Sequence, residues 1–164
     1  MVQLPQMRTP MLLFPALLVS AFAASAQPAK SGAKPSPCSL LTKAEVQQAT
    51  GAEASEPQLN PHNSSVCDFK VGSLNTVGIM LHELGPDDSA EKTMAELKKR
   101  KIDTQPVSGI GERAFFARPG YGMQQLSAYK GSKCVIVTAL IMGAPEAKVR
   151  GIIQALARKA LARL

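Results

Sequence analysis

MQQLSAYKGSKCVIVTALI, from Met123 to Ile141, is the stretch whose reading decides the fold. Gly131-Ser132 at its middle is a two-residue turn of the kind that wants Gly first. Met123–Lys130 and Lys133–Ile141 therefore read as the two strands of an antiparallel hairpin. Cys134 to Ile141 is almost wholly apolar, which predicts a central strand covered on both faces. The residues that follow supply one cover. Gly143-Ala144-Pro145-Glu146 opens a helix with Pro145 at its first position and Glu146 in its first turn. Val149, Ile152, Ile153, Leu156, Ala160 and Leu164 then recur at helical spacing as one apolar stripe, with most basic residues off it. A basic amphipathic helix can lie on a membrane surface. This stripe carries no aromatic residue and the sheet needs a cover, so packing on the sheet is the stronger reading.

The same alternation extends outward toward the N-terminus. Ala114–Ala117 reads as a short strand between the Gly-rich loop Val107–Glu112 and the loop Arg118–Gly122. Val66–Val71 puts Cys67, Phe69 and Val71 on one side and Asp68 and Lys70 on the other. Gly72–Asn75 turns the chain, and Thr76–Leu84 returns with Val77, Ile79 and Leu81 on one side. Gly85-Pro86-Asp87-Asp88 breaks the pairing. Asp88 is placed to cap a second helix, with Glu91 three residues on and Ala90, Met94 and Leu97 on one stripe. Lys98-Lys99-Arg100-Lys101 falls in its last turn, where cations suit the helix dipole. Thr42-Lys43-Ala44-Glu45 is a capping box, Leu41 and Val46 occupy the positions of a hydrophobic staple, and Gly51 ends the helix, which runs about 42–50. Ala52–Ser65 reads as a polar loop. The whole is an α+β domain, 38–164, with an antiparallel sheet of about five strands covered by three helices.

Two segments precede that domain. Met11–Ala24 is an apolar run behind Arg8 and ends in Ala24-Ser25-Ala26. Residues 1–26 are thus expected to be a secretory signal cut before Gln27. The run is short for a membrane span and is broken by Pro15. A lipid anchor would need a Cys directly after the cut, and the first, Cys38, lies too far downstream, so none is expected and the product is read as periplasmic or secreted. Residues 27–37, QPAKSGAKPSP, read as a disordered linker.

The chain has a formal net charge of +7. Such a balance favours acidic surfaces, and Lys98, Lys99, Arg100 and Lys101 are the candidate polyanion contact, against the plainer reading of a solvated helix end. Nucleic acid is disfavoured: there is no Trp and no basic–aromatic interleaving. Three cysteines, Cys38, Cys67 and Cys134, allow one disulfide in three ways in an exported chain. No Cys-x-x-Cys or paired His spacing argues for metal.

No residues assemble into a catalytic signature. Gly109-Ile110-Gly111 lacks the context of a nucleotide loop. His62 and His82 have no nucleophile setting, and His82 and Glu83, adjacent on a strand, point to opposite faces. Neither a catalytic residue, a cofactor nor a metal ligand is expected.

Read in order, Cys38-Ser39-Leu40-Leu41-Thr42-x-x-Glu45, Cys67-Asp68-Phe69, Val107-x-Gly109-Ile110-Gly111-Glu112 and the Ala-rich final helix resemble a domain-of-unknown-function family of small exported proteins and lipoproteins, best known from actinobacterial envelopes. The resemblance implies an extracytoplasmic ligand-binding or accessory module without an established reaction. It also implies a Cys38–Cys67 bridge, leaving Cys134 as a buried thiol. The rival pairing is Cys67–Cys134. The expected function is an exported, non-enzymatic binding module for an envelope ligand or protein. The alternatives are an adaptor for membrane surfaces or envelope polymers, acting through its basic patches, and an enzyme of unrecognised type.

Overall fold

The computed structural model describes residues 35–164. The expected signal and the first part of the linker lie outside them. Pro35 and Ser36 lead into a single 3-10 turn at Pro37–Ser39, where the Ser36 hydroxyl accepts from the Cys38 N–H and Pro37 is buried. Helix α1 (Lys43–Thr50) follows with the capping box in place. Thr42 Oγ1 accepts from the Glu45 N–H, and the Thr42 N–H donates to Glu45 Oε2 at 2.9 Å. Gly51 ends the helix at φ 72°, a left-handed value that costs glycine little.

Among the described residues, seven strands form one antiparallel sheet, two more than the sequence reading allows for. They are β1 (Gln58–Asn60), β2 (Asn63–Val71), β3 (Asn75–Glu83), β4 (Thr104–Val107), β5 (Arg113–Gly120), β6 (Met123–Lys130) and β7 (Lys133–Leu140). Their order is β1-β2-β3-β7-β6-β5-β4. The two unexpected strands are the edges, β1 and β4. The first is three residues long between Pro57 and Pro61. The second contains Pro106, so neither shows the alternation that marks a half-buried strand. Strand β5 also runs on through Pro119, with an irregular register before Gly120.

Strand β7 is central, between β3 and β6, as its composition implies. Its two faces differ. Val135, Val137 and Ala139 are buried under α3 (Glu146–Leu161). On the other face Cys134 is buried, whereas Ile136, Thr138 and Leu140 are only half-buried. The cover on that face is α2 (Ala90–Lys99). Ten residues of helix span about 15 Å, too little to roof the whole face, so the expectation of full cover on both sides is corrected for the upper half of β7. The cap of α2 is corrected as well. Ser89, not Asp88, accepts from the Lys92 N–H, while Asp88 Oδ2 accepts from the Gly85 N–H. In α3, Pro145 occupies the cap position rather than the first turn.

The main core lies between α3, α1 and the first sheet face. Leu40, Leu41, Val46, Phe69, Val77, Leu126, Val137, Ile153 and Leu156 are shut from solvent there. A smaller cluster under α2 holds Ala90, Phe115, Ala117, Tyr129 and Cys134. Cys38 and Cys67 are joined, with Cα atoms 5.1 Å apart, which ties the chain before α1 to β2. Cys134 is a free, buried thiol. Burial raises its pKa to about 11 and that of the Tyr129 phenol to about 12, so both stay protonated beneath α2.

Candidate functional site

The part of the second sheet face that α2 leaves bare is the candidate site. Alternation puts every second residue of β2, β3, β7 and β6 on it, and the register lines these residues up in rows across the strands. Val66, Met80 and Ile136 form an apolar row. Next to it, Asp68, Gly78, Thr138 and Gln125 form a polar row. Lys70, Thr76 and Leu140 form the third. The first two rows and Thr76 of the third line a groove of about 370 Å³, which Ile79 and Met123 also line.

Gly78 makes the floor. A Cβ there would stand 3.1 Å from Asp68 Oδ1, so the missing side chain leaves that oxygen open above the sheet. Asp68 Oδ2 is held by the Asn60 amide at 2.8 Å, which fixes the carboxylate from the β1 edge. Oδ1 has no hydrogen-bond partner among the described residues. The arrangement offers one anchored acceptor, the hydroxyls of Thr76 and Thr138 and the Gln125 amide, flanked by two methionines and two β-branched side chains. Methionine adapts to ligands of different shape.

A second cleft, about 560 Å³, lies between the start of α2 and the segment Pro106–Ala114. Arg113 Nε reaches Glu91 Oε1 at 3.3 Å across it. This is where the Gly109-Ile110-Gly111 motif sits, and the motif is occupied with structure. Ile110 is buried in the main core. A Cβ on Gly111, at φ 60°, would fall 2.3 Å from the Tyr129 carbonyl oxygen. Only glycine lets the Glu112 N–H donate to that oxygen at 2.8 Å.

The basic run lies at the end of α2. Lys98 and Lys99 are in the last turn, Arg100 caps it and Lys101 adopts φ 58°, all of them exposed. Lys99 pairs with Glu96 at 2.7 Å. The basic side chains of α3 are more committed. Arg163 and Lys159 both meet Glu45, and Arg150 meets Glu146 at 2.8 Å while stacking over Phe116. Among the described residues, Gln124 Oε1 and Arg150 Nε are buried without a hydrogen-bond partner. The apolar stripe of α3 is spent on the core.

His82 Nε2 stands 3.8 Å from Asp88 Oδ2 at the exposed end of β3, and His62 lies in the turn after β1. Among the described residues no three His, Cys, Asp or Glu side chains come together to hold a metal ion. None of their helices is long and apolar enough to cross a membrane. No protein-family model matches the chain, and no curated protein matches it either.

The groove was not among the residues singled out from sequence. Its side chains come from strands of two separate hairpins, and only the β3–β7 register brings them together. The alternation of Val66, Asp68 and Lys70 against Cys67 and Phe69 marks a second face, but not whether a helix would cover it.

Proposed function

We propose that this chain is an exported, non-enzymatic binding module and that its ligand occupies the open groove. The observation that carries this reading is the Asp68 oxygen left open above Gly78, inside a mixed polar and apolar cleft on a rigid sheet. A cleft of that size suits a small molecule, with a few placed polar groups setting its orientation. The chemistry that fits is an amine or other donor directed at Asp68, with an apolar body against Val66, Met80, Ile136 and Met123. The Cys38–Cys67 bridge suits an oxidising compartment. The resemblance to small exported envelope proteins agrees with a binding role.

Native mass spectrometry on protein purified from its own host tests the reading. A retained small-molecule adduct is expected on the parent chain and not on Gly78→Phe, whose ring fills the groove. An adduct that survives both Gly78→Phe and Asp68→Asn would place the ligand elsewhere.

A further inference from the structure

Among the described residues, four large apolar side chains stand more than half exposed: Leu59, Leu74, Tyr121 and Met142. Three of them share one end of the sheet. Leu74 is in the β2–β3 turn, Tyr121 is at the tip of the β5–β6 turn and Met142 follows β7. The loops are neighbours. The Met142 N–H donates to Asn75 Oδ1 at 2.8 Å, and Gly122 lies against Leu140, with 3.7 Å from its Cβ position to Leu140 Cδ1.

Tyr121 is the most telling of the three. Its side chain is 94% exposed. Its φ of 53° lies in the left-handed region, which residues with a Cβ avoid and where a tight turn ordinarily uses Gly, Asn or Asp. Gly120 and Gly122 on either side also have positive φ. An uncommon backbone conformation thus holds an aromatic ring in water, with no packing partner among the described residues to explain it.

The charge around these tips is mainly positive. Lys70 is on the last rungs of β2, Arg118 is three residues before Tyr121, and Lys148 is in the first turn of α3. The chain leaves α2 through Lys98–Lys101 and enters β4 at Thr104, opposite Ala117, at this same end. Of the acids here, Glu146 is taken up between Arg118 at 3.5 Å and Arg150 at 2.8 Å, while Glu53 and Asp103 remain. We propose that this end of the domain docks on an anionic phospholipid bilayer. Leu74, Tyr121 and Met142 enter the headgroup region, and the surrounding lysines and arginines meet the lipid phosphates.

The pattern fits a bilayer better than a protein. The apolar groups are single residues on separate tips, as shallow insertion needs, and tyrosine favours the headgroup level. A basic collar adds attraction to anionic lipid. A second copy docked by the same face would set that collar against itself. The inference uses other residues than the Asp68–Gly78 floor and stands apart from the groove reading.

The test uses the exported protein with the Cys38–Cys67 bridge formed. The chain has no Trp, so Tyr121→Trp gives a single emission signal at the tip. That emission is expected to shift to the blue with vesicles of phosphatidylcholine and phosphatidylglycerol in dilute buffer. The shift should fade at high salt and be absent with phosphatidylcholine alone. In co-sedimentation, the triple variant Leu74→Ser/Tyr121→Ser/Met142→Ser should bind anionic vesicles about tenfold less well or weaker, with an unchanged melting temperature. Gly78→Phe should bind them like the parent. No association in dilute buffer, or equal association of the triple variant, overturns the proposal. So does a parent that sediments as a dimer while the triple variant is a monomer, since that would make the tips a self-association surface.

Discussion

Glu45 takes part in three interactions at once. It closes the capping box of α1, it receives Arg163 at 2.8 and 2.9 Å through both oxygens, and Lys159 stands 3.6 Å away. Its hydrogen bond from Arg163, more than any other influence, lowers its pKa from 4.5 to about 2. A carboxylate whose folded pKa is depressed stabilises the fold fully above its unfolded value. That contribution is lost as pH falls toward the folded one. Glu45→Gln, which keeps an acceptor but not the charge, is therefore expected to cost about 1–2 kcal/mol near neutrality. The gap should narrow as urea melts are repeated from about pH 5 down toward 2. A gap of constant size across that range would show that the charge contributes nothing. The box itself was legible in Thr42-x-x-Glu45. The cation 118 residues away was not, because nothing local marks which arginine a folded chain brings back.

The helices show how far periodicity carries. The α3 stripe reads directly from the spacing of Val149, Ile152, Ile153 and Leu156, and each of these is buried. Ile153→Asp places a charge with no partner in the main core. It is expected to cost about 4 kcal/mol or more, enough to unfold a marginal domain in thermal melts followed by circular dichroism. A variant with the parent's melting temperature but weaker binding to vesicles would instead make α3 a surface-binding helix. Helix α2 has the same kind of stripe, yet Met94 and Leu97 remain half-buried and only Ala90 is fully covered. Amphipathic spacing says which face turns inward, not how much sheet a helix can cover. For the same reason the hairpins were readable and the groove was not. Alternation assigns Asp68 and Thr138 to a face, whereas their meeting across Gly78 depends on a β3–β7 pairing between residues some sixty positions apart. The edges β1 and β4 were hidden for a simpler cause: three or four residues carrying or flanked by Pro give no period to read.

Across the whole molecule, the bridge and the sheet edges set stability and solubility. The Cys38–Cys67 link closes a loop with a sequence separation of 29. In the chain-entropy account its reduction should cost about 3–4 kcal/mol. Melting with and without a phosphine reductant checks this, and an unchanged midpoint would show that the noncovalent packing around Leu40 and Leu41 holds the N-terminal turn without the bond. Both outer strands are short and proline-marked, so edge-to-edge pairing between copies is discouraged. The placement of the three sulfurs has a consequence for how the protein matures. Cys67 belongs to the cluster on one face of the sheet and Cys134 to the cluster on the other, so the folded sheet insulates one thiol from the other. The wrong pair can form only while the chain is still open. A chain that folds before it meets an oxidant therefore has only the Cys38–Cys67 bond to make, whereas one oxidised while open must undo any wrong pair by thiol–disulfide exchange before the sheet can close.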